Sequence, residues 1–125
     1  MSPNCLSEIY VVMSPDSQVE HISKKDLTAL YLGRKRATDT GEEIHAIDRA
    51  GELRSEFFNY ISNMSINQID AYWAKLHFSG RVPPLQSLEG YDELTKYLLN
   101  NPSFVGYVRD KPIGDELKVV MVIHD

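Results

Sequence analysis

"SEIYVVMS", residues 7–14, and "LKVVMVIH", residues 117–124, are the two stretches whose reading decides the fold. Ile9, Tyr10, Val11 and Val12 form one unbroken run. A continuous short run, rather than an apolar–polar alternation, suits a strand buried on both faces. The closing stretch carries the same signature. Both runs look central by composition, so the two ends of the chain are expected side by side in one sheet.

Between them the pattern changes to a helical period. "SKKDLTALYLG" (23–33) opens with Ser23 and has Asp26 three residues later, which is capping-box spacing with an acid in place of the usual glutamate or glutamine. Leu27, Leu30 and Tyr31 share one face, and Gly33 falls where a left-handed residue ends a helix. "EEIHAID" (42–48) reads as a strand, with Ile44, Ala46 and Asp48 alternating against His45 and Ile47. "GELRSEFFNYISN" (51–63) repeats Leu53, Phe57, Tyr60 and Ile61 at helical spacing, a pattern that Met64 continues. In "SINQIDAYWAKLHFSG" (65–80), Ser65 and Gln68 make a capping box. Ile66, Ile69, Tyr72, Trp73 and Leu76 make the expected buried stripe, and Gly80 closes the helix. "RVPPLQSLEG" (81–90) reads as a loop, "YDELTKYLLNNP" (91–102) as a helix, "SFVGYV" (103–108) as a strand and "RDKPIGDE" (109–116) as a turn. The predicted order is β-α-β-α-α-α-β-β, a mixed α/β sheet of four or five strands flanked by helices.

The chain has 125 residues, enough for one domain with a core that needs no disulfide or metal. Residues 1–7 read as an N-terminal tail holding Cys5, the one cysteine, and 8–125 as a single domain. A formal net charge of −5 argues against a general binder of nucleic acid or anionic membrane, whose affinity rests on clustered cations. No stretch approaches the ~20 apolar residues of a membrane helix. "MSPNCLS" does not resemble a signal peptide, and a chain starting after a removed signal would look the same.

Catalytic chemistry finds no foothold. His21, His45, His77 and His124 are scattered, with no second histidine at metal-ligand spacing. There is no G-x-S-x-G elbow, and no pair among the 18 carboxylates is singled out. The reading is therefore a non-enzyme with no cofactor and no metal. The "NMS" triplet at Asn63 matches a glycosylation sequon, but Ser65 is already needed as a helix cap.

Two basic stretches remain. Arg34-Lys35-Arg36 reads as a solvated turn after a helix, where cations also complement the helix dipole; the rival reading is an anion patch. "RAGELRSE" (49–56) places Gly51 at a helix start, with Arg49 before it and Arg54 in the first turn. Free N–H groups at a helix N-terminus attract anions, and arginines add charge-assisted hydrogen bonds. Glu52 and Glu56 put negative charge at the same place. Either a working anion site or a vestigial one fits these residues. Trp73 and the tyrosines sit at core spacing. Gly80-Arg81 before Val82-Pro83-Pro84 is a rigid basic loop, either a contact surface or a connector.

The order of the stretch from "IYVVMSPDSQVEH" through "LTALYLGRKRATDTGEEIHAIDRA", the paired phenylalanines, "YWAKLHFSGRVPP" and "FVGYV" resembles the substrate-binding proteins of phosphate ABC transporters, and most of all their short, single-lobe members. The resemblance spans about residues 8 to 123. It implies one lobe of a type 2 periplasmic-binding-protein-like fold, exported to the periplasm and serving solute binding and transport. In full-length members two lobes close on phosphate, and an arginine followed by a Ser-Gly-Thr turn at a helix start holds it. Arg49 matches that arginine and Gly51 a glycine of the turn, while Glu52 and Leu53 stand where hydroxyl residues are expected. The implied ligand is phosphate or another small anion, held by Arg49, Gly51, Arg54 and Ser55. The implied partner is a homodimer mate or a second protein that completes the clamp. The alternative is a periplasmic interaction, assembly or signalling module that has lost its ligand.

Overall fold

The structure is a computed structural model that describes residues 8–38, 41–80 and 82–124. The tail 1–7 with Cys5, and Arg81 of the basic loop, lie outside the described residues. In chain order the elements are β1 (Ile9–Met13), α1 (Lys24–Tyr31), β2 (His45–Asp48), α2 (Glu52–Ser62), α3 (Ile66–Ser79), β3 (Gln86–Ser87), α4 (Tyr91–Asn100), β4 (Phe104–Val108) and β5 (Lys118–Ile123).

The sheet has five strands in the order β3-β2-β4-β1-β5. β2 runs parallel to both β3 and β4, while β1 is antiparallel to β4 and to β5. The first and last strands therefore do pair, with Ile9 opposite Ile123. Only β1 is central, however. β5 is an outer strand, contrary to its composition. Val119, Met121 and Val122 on it are only half-buried, because a sheet neighbour covers one side alone. β3 falls inside the stretch read as a loop. Two residues are too short to leave a strand pattern in sequence.

Alternation along the strands feeds two cores. Val11 and Met13 of β1 and Val105 and Tyr107 of β4 meet α1, α2 and α3 through Leu27, Tyr31, Phe57, Phe58 and Ile69. On the other face Val12, Ile47 and Val108 meet Leu94 and Leu98 of α4. Gly106 permits that second contact: a Cβ there would lie 2.9 Å from Cδ1 of Leu94.

Helix ends follow their caps. The Ser65 hydroxyl accepts from Gln68 N and the Gln68 side chain returns to Ser65 N, which completes the capping box. Ser23 accepts from Asp26 N, but the Asp26 carboxylate does not reciprocate; it takes Lys35 Nζ at 3.1 Å. The expected stripe on α3 is shallower than the spacing implied. Ile69 is buried, whereas Ile66, Tyr72, Trp73 and Leu76 are half-buried, since α3 packs mainly on α2 and reaches the sheet core through Ile69.

Candidate functional site

β2 ends at Asp48, and three residues carry the chain to α2. Gly51 is the N-cap of α2 with φ 87° and ψ −163°, a conformation that L side chains avoid. It is exposed and nothing lies within 4 Å of where a Cβ would stand, so the helix start is open to approach. Its first N–H groups have no side-chain cap. This end of β2 lies beside the end of the parallel strand β4, which brings Tyr107 to Asp48 across 59 residues of sequence. Ligands of open α/β sheets are commonly taken up outside such carboxyl ends.

The Asp48 carboxylate is the centre of the site and is 6% exposed. It accepts from Arg49 N at 2.8 Å, from Arg54 Nε at 2.8 Å and from the Tyr107 hydroxyl at 2.7 Å. Burial, the Asp48 charge and the neighbouring Tyr31 push the Tyr107 phenol well above its ordinary range, so it stays a neutral donor. Burial works against the Arg54 charge, but hydrogen bonds and charges from Asp48 and Asp70 more than offset it and raise its pKa. Arg54 Nη1 donates to Asp70 at 3.0 Å, and its guanidinium lies over the Phe58 ring. Behind the site the Phe57 and Tyr107 rings stack at 3.8 Å, and the Tyr31 hydroxyl donates to Ile47 O at 2.8 Å.

The four residues singled out in the sequence thus gather at one strand–turn–helix junction, though not around one point. The Arg49 guanidinium turns toward α4 and donates to Glu89 O at 2.8 Å and to Tyr107 O at 3.3 Å. Arg54 turns toward α3 and Asp70. Each guanidinium has five N–H donors and spends two of them on these partners. Ser55 is half-buried, and its hydroxyl has no hydrogen-bond partner among the described residues. Glu56 is drawn away to Arg109, which leaves Glu52 as the acid of the first turn. Asp48, Asp70 and Tyr107 were not singled out as site residues. An acid that ends a strand one residue before an arginine is the local signal for Asp48; the other two join through contacts distant in sequence.

Among the described residues no group of three or more His, Cys, Asp or Glu is placed to hold a metal ion. No helix among them is long and apolar enough to cross a membrane.

No family model and no curated protein matches the chain. Solved structures do. An ABC-type phosphate transport receptor from Vibrio cholerae superposes with a TM-score of 0.70 at 12% identity, over 92% of this chain and 46% of that one. A protein from Clostridium perfringens, described as a phosphate ABC transporter substrate-binding protein with bound phosphate, gives 0.66 at 13% identity, over 92% and 47%. PstS from Borrelia burgdorferi gives 0.53 at 14% identity, over 84% and 42%. The chain spans slightly under half the length of each. Its fold is that of part of these phosphate-transport receptors, the α/β lobe anticipated from the order of its motifs.

Proposed function

We propose that this chain is a non-enzymatic, solute-binding lobe of the cell envelope that takes a small oxyanion, phosphate in the first instance, at the start of α2. The observation that carries the reading is the junction itself. Arg49, Arg54 and the Ser55 hydroxyl flank the open, glycine-capped N-terminus of α2. That end of a helix favours negative charge. The bound phosphate of a solved neighbour with the same fold supports the ligand class.

Affinity from this lobe alone is low. Arg54 already serves Asp48 and Asp70, Glu52 adds a further negative charge, and an anion on an open face is screened by water. A second lobe, from a dimer mate or a partner protein, completes the clamp. The competing reading is an interaction module without a solute. It is favoured by Asp48, an internal anion that accepts from both arginines and Tyr107.

Amide chemical shifts separate the two. Phosphate added to the labelled protein is expected to shift Gly51, Glu52, Leu53, Arg54 and Ser55 saturably, and Arg49→Ala is expected to remove the response. Static shifts up to millimolar phosphate, together with self-association in sedimentation, would favour the interaction module.

A further inference from the structure

The basic run Arg34-Lys35-Arg36 takes no part in the junction just described, and it borders a groove of about 290 Å³ near the opposite end of β2. The groove lies between the end of α1, the start of β2 and the arm that leads into β3. Lys35, Arg36 and His45 line it, and no carboxylate among the described residues does, in a chain whose net charge is −5. Its apolar wall includes Trp73, Leu85 and Phe104. Lys35 is paired with Asp26 and His45 with Glu43, but Arg36 is exposed and its side chain has no partner among the described residues. The indole Nε1 of Trp73 is buried within the wall and finds no acceptor among the described residues, so the groove meets Trp73 through its ring carbons. A backbone contact holds the basic arm in place, with Ile44 N donating to Arg36 O at 2.9 Å.

Apolar walls with a few convergent polar groups, at close to 300 Å³, are the usual make-up of a small-ligand site. We propose that this groove binds a small organic carboxylate. Its apolar body packs against Trp73 and Phe104, and its carboxylate meets Arg36. Inorganic phosphate has no apolar body and is not the ligand expected here. The groove reaches β2 at His45 and Ala46, about 7–10 Å along the strand from Asp48, and it shares Trp73, Pro84 and Leu85 with a smaller pocket lined by Asp48 and Arg54. Its anchor Arg36 does not line that pocket, so the groove is a second site beside the α2 junction.

Trp73 is the only tryptophan, so its fluorescence reports on the groove directly. Titration of the full chain with benzoate is expected to change that fluorescence saturably. Benzyl alcohol, the neutral counterpart, is expected to give no saturable change. Arg36→Gln keeps the backbone contact and is expected to weaken benzoate roughly tenfold, the loss of one charge-assisted hydrogen bond. Arg49→Ala and saturating phosphate are expected to leave the benzoate midpoint in place, so loss of the α2 site and loss of the groove read differently. No saturable change, an equal response to benzyl alcohol, an unchanged midpoint in Arg36→Gln, or a midpoint moved by phosphate would each overturn the proposal.

Discussion

Asp48→Ala is expected to destabilise the fold by about 3–5 kcal/mol, the range for removing one partner of a buried charge pair. The carboxylate is nearly inaccessible, and three donors converge on it from the β2–α2 turn, α2 and β4. Removing it strands Arg54 Nε and the Tyr107 hydroxyl, and an unsatisfied buried donor costs more than the hydrogen bond contributed. For a domain of this size the loss corresponds to roughly 10–20 °C in Tm, read by calorimetry or by circular dichroism on heating. Asp48→Asn keeps an acceptor for Tyr107 and is expected to fall in between. A change below about 1 kcal/mol in the alanine variant would mean that the network is solvated and not a lock.

Phe57→Ala is expected to cost about as much, roughly 3–5 kcal/mol, by a different route. Phe57 is fully buried. It stacks on Tyr107 with 4° between the rings and meets Tyr31 edge-on at 4.7 Å. Truncation leaves a cavity directly behind the site. Tyr107 is the shared element, held by Phe57 on its face and by Asp48 at its hydroxyl. The two substitutions are therefore expected to be non-additive, with the double variant less destabilised than the sum of the singles. Denaturant unfolding of the four proteins in the cycle measures this. Strict additivity would show that the aromatic stack and the carboxylate act independently.

Much of the fold was legible because its signals are local. The capping box of Ser65 and Gln68, Gly80 at the end of α3 and the apolar run of β1 each identify their element within a few residues. The position of β5 was not legible. Composition reports how apolar a strand is, and not which strands lie beside it, so an outer strand with a covered inner side reads as central. β3 was too short to register.

The same divide runs through the site. The sequence order places Arg49, Gly51, Arg54 and Ser55 at one strand–turn–helix junction, and the fold has that junction. Their electrostatic state could not. Arg54 and Asp70 are 16 residues apart, and Tyr107 reaches Asp48 only because β4 lies next to β2. Those pairings change the meaning of the arginines. In sequence they look like cations waiting for an anion; in the fold an internal carboxylate already engages one guanidinium and the backbone N–H of the other.

A calorimetric titration with phosphate and with sulfate, before and after Arg49→Ala, tests the oxyanion reading most directly. Weak, saturable heat with phosphate is expected for the native chain. None is expected for the variant, whose fold is checked by circular dichroism because Arg49 also ties Glu89 and Tyr107. No heat with either anion at millimolar concentration, or equal heat in both proteins, would contradict that reading.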